Sequence, residues 1–200
     1  MENKIFVEVE GVDYSGKTTL MGHLVNRLGI VDHYFTREPY KGEYRNLLLN
    51  APLKRDEALE IFVKDRIEHV KRMNTLPHKY IWCDRYLLST LVYQTGTEKE
   101  IVEIMEMHKE ENLPLPDVLV YLFCSKEVAR QRASERPETN HYDEHHRENA
   151  KRYRKVLSSD STPYYKTIPV LEFDTSVHGP EAIAKHVWDS VKKKIVFANE

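Results

Sequence analysis

The sequence predicts an α/β fold: a doubly wound, five-stranded parallel sheet flanked by helices in three layers. Two observations carry that reading. Short apolar runs recur at residues 5–9, 33–36, 80–83, 118–124 and 168–173, each of strand length and without the alternation of a half-exposed strand. Between them lie longer stretches, several with apolar residues at i, i+3 and i+4, the period of a helix packed on one face. Five strands separated by helices imply crossover connections, and hence parallel strands.

In chain order, strand 5–9 runs through a glycine-bounded loop into helix 17–28. Strand 33–36 ends in Thr36-Arg37-Glu38-Pro39, where the proline starts a turn, and helix 56–74 follows. Strand 80–83 ends at Asp84 and gives way to helices 87–93 and 99–109. Strand 118–124 precedes helices 126–134 and 143–158, with Arg136-Pro137-Glu138-Thr139-Asn140-His141 between them as a mobile polar loop. Strand 168–173 and helix 180–194 complete the pattern. In open sheets of this kind ligands sit beyond the carboxyl ends of the strands, so polar motifs there are the first to weigh.

Two hundred residues with 40% hydrophobic content suffice for one α/β domain and are short for two, so residues 1–200 read as a single domain. Thirty Lys+Arg against thirty-two Asp+Glu leave a formal charge of -2, which provides no global basic field for nucleic acid. Any phosphate chemistry must therefore be local. Cys83 and Cys124 lie singly inside apolar runs and read as buried, reduced thiols. Met1-Glu2-Asn3-Lys4 leads straight into an apolar run without the pattern of a signal peptide, and no segment approaches membrane-spanning length. The expectation is a cytoplasmic protein, in a host's cytoplasm if viral, without a membrane partner.

Gly11-Val12-Asp13-Tyr14-Ser15-Gly16-Lys17-Thr18 matches G-x-x-x-x-G-K-[ST] in full, between a strand and a helix. That setting is what the chemistry needs. Backbone N–H groups of Gly11, Ser15 and Gly16 wrap phosphate oxygens, with Thr19 just inside the helix whose N-terminus adds positive charge. Lys17 reaches the terminal phosphates and Thr18 can ligate Mg²⁺. A glycine turn capped by Thr18 is the plain alternative, and a turn needs no lysine there.

Phosphate loops serve GTPases, motor ATPases and small-molecule kinases, so other residues must choose. No Asn-Lys-x-Asp sequence is present to read guanine, and Arg85 follows Asp84 where a motor ATPase would carry glutamate. An acid followed by arginine suits a kinase, the carboxylate helping to hold Mg²⁺ and the guanidinium gripping a second phosphate. A surface ion pair at a helix start is its alternative. Arg37 ends a strand at the same edge, as a third cation or as a solvated turn residue. Phe62 and Arg66, four apart, could meet a nucleobase together, or could be a core ring and a surface arginine. Spacing leaves both open.

The loop with Thr19, Thr36-Arg37-Glu38-Pro39, the Phe62 to Arg66 pair, Asp84-Arg85-Tyr86-Leu87-Leu88-Ser89-Thr90-Leu91-Val92-Tyr93-Gln94 and Pro116-Asp117-Val118-Leu119-Val120-Tyr121-Leu122 together resemble the thymidylate kinase family. Related deoxynucleoside kinases more often carry Glu-Arg-Ser at the Asp84-Arg85-Tyr86 position. The resemblance implies a P-loop kinase fold with a short lid, here about 134–146, and transfer of the ATP γ-phosphoryl group to dTMP. It implies a homodimer, with nucleotides as the small-molecule partners. Asp13 matches the carboxylate on the acceptor's 3′-hydroxyl, and Arg37 and Arg85 match the arginines on its phosphate. Phe62 matches the ring that stacks on thymine and Arg66 the arginine at its edge, while Ser89, Tyr93 and Gln94 match positions lining base and sugar.

Some members place an arginine inside the loop, where this chain has Tyr14, so the transition-state cation is expected from the lid. Arg132 and Arg136 fall where lid-arginine members supply it, with Arg130 and Arg147 close by. Three further features stand out. Tyr40-Lys41-Gly42-Glu43-Tyr44 replaces the family's Gly-Gly-Thr, Glu138 to Asp143 replaces its acid-arginine lid pattern, and Phe173-Asp174-Thr175-Ser176 resembles the segment beside adenine. His141, His145 and His146 read as solvated lid residues rather than a zinc site, since no cysteine accompanies them. Two other readings stay open: a kinase for dUMP or a deoxynucleoside, and a nucleotide-binding module without turnover.

Overall fold

The computed structural model describes residue 1, residues 4–135 and residues 146–198. Strands β1 (Ile5–Gly11), β2 (His33–Arg37), β3 (Tyr80–Asp84), β4 (Val118–Phe123) and β5 (Val170–Asp174) run parallel in the order β2-β3-β1-β4-β5. The helices are α1 (Lys17–Leu28), α2 (Gly42–Asn50), α3 (Arg55–Thr75), α4 (Leu87–Gln94), α5 (Glu98–Glu110), α6 (Lys126–Ser134), α7 (His146–Ser158) and α8 (Pro180–Ala198), with a 3₁₀ turn at Pro163–Lys166. This is the α/β, three-layer P-loop kinase fold. In register, Val9 lies opposite Asp84 on one side and Val120 on the other, and Arg37 opposite Asp84. The strand ends that carry the polar motifs therefore share one edge.

Successive side chains of a strand face opposite sides, so each strand feeds two cores. Val7, Val9, Trp82, Val120 and Leu122 pack beneath Leu20 and Leu24 of α1 and Ile183, Val187 and Val191 of α8. Phe6, Ile81, Cys83, Leu119 and Tyr121 pack beneath Val70 and Met73 of α3, Leu88 and Leu91 of α4, Ile101 and Ile104 of α5, and Tyr153 and Val156 of α7. The same alternation turns Glu8 and Glu10 of β1 inward on the second face, both at 0% exposure. Burying a carboxylate costs several kcal/mol unless donors meet it, and the N-terminus of α4 supplies them. Glu10 Oε1 accepts from the N–H groups of Tyr86 (2.9 Å) and Ser89 (3.0 Å), and Glu8 Oε1 from that of Leu88 (2.9 Å). The first turn of α4 contains no acidic residue of its own, so strand β1 caps it from across the core. Burial, with Glu10 close by, pushes the Glu8 carboxyl well up.

Local signals set other boundaries. Thr97 accepts from the N–H of Glu100 (3.3 Å) while Glu100 accepts from that of Thr97 (2.9 Å), a capping box that starts α5. Ser125 caps α6 through the N–H of Val128 (3.2 Å). β1 and α8 run on to Gly11 and Ala198, past the expected ends at 9 and 194, and the 3₁₀ turn is new; two further differences have a local cause. Helix α2 was not expected: Lys41 gives it no side-chain cap, and the consecutive Leu47-Leu48-Leu49 hides any helical period. β5 begins at Val170, two residues after the expected start, because Pro169 cannot donate to the ladder; its carbonyl accepts from Leu119 (3.0 Å). Residues 136–145, which hold the expected loop and all but the ends of the expected lid, lie outside the described residues. Both cysteines are buried free thiols, as expected. His146 is 2% exposed with Nε2 3.8 Å from Cys124 Sγ, so it is a packed side chain and not a solvated one.

His108 of α5 gives the fold a measurable acid limit. It is 4% exposed, its Nε2 lies 3.1 Å from the Pro114 carbonyl, and its Nδ1 has no partner among the described residues. Burial, aided by the Arg66 charge, lowers its pKa to about 4, below the roughly 6.5 of an unfolded histidine. The unfolded chain therefore takes up the proton first. Stability is complete above about pH 6.5 and falls as pH drops towards 4, by about 3 kcal/mol from this group. Urea unfolding at pH 7.5, 6 and 5 checks this, and His108→Leu is expected to flatten the fall.

Candidate active site

The loop between β1 and α1 adopts backbone angles that its glycines permit. Gly11 has φ +148°, and a Cβ there would lie 2.1 Å from the Leu122 carbonyl oxygen on neighbouring β4. Gly16 has φ +96° and caps α1 with no side chain, which leaves the first N–H groups of that helix open to an anion. Tyr14, at φ 62°, turns the loop between them. Lys17 is 8% exposed and donates to the carbonyls of Gly11 (2.8 Å) and Val12 (3.0 Å), folding back along the loop that a phosphate would enter. Burial, with Arg85 adding to it, lowers its pKa to about 8, while Asp84 and Asp13 oppose the fall. It stays a cation at neutral pH, and an arriving phosphate would raise it again.

A cavity of about 1010 Å³ opens over the strand ends. Thr18 and Thr19 of α1, Arg37 of β2, Asp84 of β3 and Asp13 of the loop line it. Asp84 has its pKa raised by burial, against Lys17 and Arg85, and its Oδ1 is buried without a hydrogen-bond partner among the described residues. A second, mainly apolar cavity of about 300 Å³ lies between α3 and α4, walled by Phe62, Arg66, Ser89, Tyr93 and Gln94. Glu38, Pro39, Phe62 and Arg85 line both, so the two spaces meet at Arg85.

Arg85 sits at φ 69° immediately after β3. Its fork donates to Asp13, to Ser89 Oγ (3.0 Å) and to Tyr153 OH (3.4 Å), and its Cζ stands 5.5 Å above the Tyr93 ring. Asp13, expected against a sugar hydroxyl, is here paired with that arginine. Arg37 is exposed at the cavity wall.

Arg66 is 2% exposed and lies over the Tyr86 ring at 4.6 Å. Its Nε and Nη2 donate to Glu38 Oε2 at 2.9 and 2.8 Å, and Nη2 donates also to Thr90 Oγ1 at 2.8 Å. Burial alone would raise the Glu38 pKa, but Arg66 and the His69 bond outweigh it and hold the carboxyl below its usual range. Neighbouring Asp65 accepts from the N–H groups of Tyr40 (2.6 Å) and Lys41 (2.8 Å), while the Tyr40 ring stacks on His69 at 4.5 Å. Helix α3 thus fixes the turn that stands where the family has Gly-Gly-Thr.

Arg132 of α6 donates to the Tyr14 carbonyl (2.9 Å) and to Thr175 Oγ1 (2.9 Å) and carbonyl oxygen (2.8 Å). Thr175 Oγ1 in turn donates to the Ser15 carbonyl (2.9 Å), so the phosphate loop is braced against the turn after β5. Arg136 lies outside the described residues; Arg130 and Arg147 are exposed and absent from both cavity walls. Sequence reasoning missed three residues here. Arg45 lines the large cavity from the unexpected α2. Glu10, like Glu8, could have been found as an acid among the apolar residues of the strand that leads into the loop; Tyr153 gave no signal.

A parallel sheet with a phosphate loop after its central strand, facing an acid and two arginines at one edge, defines a P-loop nucleotide kinase. A family model described as thymidylate kinase matches residues 9–173. The thymidylate kinase of Leptospira borgpetersenii serovar Hardjo-bovis (strain L550) is 33% identical over 201 aligned positions, covering 92% of each chain. That of Leptospira interrogans serogroup Icterohaemorrhagiae serovar copenhageni (strain Fiocruz L1-130) is 37% identical over 152 positions, 69% of this chain and 74% of its own. A probable thymidylate kinase of Methanococcus vannielii is 27% identical over 198 positions, 95% and 96% of the two chains. The chain belongs to the thymidylate kinase family.

Proposed function

We propose that the chain transfers the γ-phosphoryl group of ATP to the 5′-phosphate of dTMP, giving ADP and dTDP for dTTP synthesis. The observation that carries this reading is Arg85 at the meeting of the two cavities, with Lys17 in the wall of one and Phe62 shared by both. Phosphoryl transfer needs two phosphate groups aligned and their charge neutralised, and little covalent help from the protein. Lys17 and the loop N–H groups hold the donor phosphates. Arg37 and Arg85 hold the acceptor phosphate, Asp13 its sugar, and Phe62, Arg66, Ser89, Tyr93 and Gln94 surround its base. The remaining transition-state charge we assign to Arg132, beside the loop, and to Arg136, placed by its sequence position alone.

Thr18 and Asp84 suit Mg²⁺: both line the donor cavity, and the buried Asp84 Oδ1 is an oxygen in want of a cation. The metal would neutralise charge on the donor phosphates. In the same reading residues 1–200 act as one domain, the protein is a cytoplasmic homodimer, and its partners are nucleotides. Among the described residues no helix is long and apolar enough to cross a membrane.

ADP release with ATP, Mg²⁺ and a panel of dTMP, dUMP, dGMP and thymidine tests the acceptor. Release is expected to be fastest with dTMP. Release with thymidine alone would overturn the monophosphate reading, and none with any acceptor would leave a binding module.

A further inference from the structure

Glu10 is buried, touches neither cavity, and is more heavily hydrogen-bonded than capping α4 requires. Its Oε1 takes the two helix N–H groups, and its Oε2 takes two hydroxyls, Ser89 at 2.7 Å and Tyr153 at 2.8 Å. Each hydroxyl has one proton to give. With that proton on Glu10, both oxygens present lone pairs outward, and both lie against Nη1 of Arg85, at 3.0 and 3.4 Å. Two other acceptors near Tyr153 stand farther off than Glu10 Oε2: Ser89 Oγ at 3.2 Å, with which the two hydroxyls also face each other, and the Gly11 carbonyl at 3.4 Å. Arg85 is thus held on one Nη by Asp13 directly and on the other by a carboxylate acting through two hydroxyls.

We propose that Glu10 and Tyr153 are positioning residues for the acceptor-phosphate arginine: Glu10 orients the Ser89 and Tyr153 hydroxyls as acceptors, and they fix the plane of the Arg85 fork. This rests on the proposed role of Arg85. The geometry suits such a part. A planar fork grips a phosphate only in one orientation, and the three groups behind its Nη1 come from β1, α4 and α7, elements that pack round one core. Placing Tyr153 on α7 also makes the acceptor site depend on the helix that follows residues 136–145. A group acting only through Arg85 should matter only while Arg85 is present.

Affinity for dTMP and for ATP is measured by titration calorimetry for the parent, Tyr153→Phe, Arg85→Lys and the double variant, with thermal melts of each. Tyr153→Phe keeps the ring and is expected to weaken dTMP binding roughly tenfold, with ATP binding changed less than about twofold. On the Arg85→Lys background the same substitution is expected to cost less than about twofold. An equal loss on both backgrounds, or unchanged dTMP binding in folded Tyr153→Phe, overturns the proposal. Should Tyr153→Phe not fold, Glu10→Gln is held to the same outcomes. A parent protein that does not bind dTMP overturns the acceptor reading instead.

Discussion

Lys17→Ala is expected to lower kcat by about a thousandfold or more while leaving the fold in place. Lys17 is the cation nearest the phosphates in the loop motif, and a preorganised charge removed from such a site costs several kcal/mol of transition-state stabilisation. Its native bonds to the Gly11 and Val12 carbonyls are ones that water can replace once the site is open, so folding should suffer little. Burial already disfavours the charged form, as its pKa near 8 records, and deleting the cation relieves that cost. Steady-state kinetics beside a thermal melt make the check. Activity equal to the parent's in Lys17→Ala would mean that the loop holds something other than the donor phosphates.

The second large effect is expected at Arg85. Arg85→Ala should reduce kcat/KM for dTMP by about a hundredfold to a thousandfold, with the KM for ATP moved by no more than about twofold. The substitution removes the fork from the junction of the cavities and leaves Asp13 without its ion pair. A lysine at this position restores the charge but not the planar pair of donors, so Arg85→Lys should recover only part of the loss. Kinetics with each nucleotide varied in turn decide the point. Equal rises in both KM values would show that Arg85 supports the whole site rather than the acceptor phosphate.

What the sequence disclosed and what it hid divide along locality. The strand-loop-helix unit at residues 5–28 was legible because each demand is local: glycines where φ is positive, lysine where the helix opens, and an apolar run before it. The five strands and their parallel order of alternation were legible for the same reason. Helix α2 was not, since its stability comes from lying on α3 and not from a cap or a period. Phe62 and Arg66 both line the small cavity, a choice that their spacing left open. No spacing could show that Arg66 is also committed to Glu38, which comes from 28 residues earlier in the chain. Glu8 and Glu10 cap a helix some 76 to 80 residues away, and Tyr153 meets Glu10 across 143 residues. Such contacts are made by the fold and leave no trace in a sequence window.

One measurement bears most directly on the claim that this loop and Arg85 serve a transfer between two nucleotides. The protein is incubated with ATP labelled at the γ-phosphate, Mg²⁺ and dTMP, and the labelled product is identified chromatographically. The label is expected in dTDP, in step with ADP. Label that stays on ATP, or that appears only as inorganic phosphate, with the protein folded and dTMP present, would contradict it.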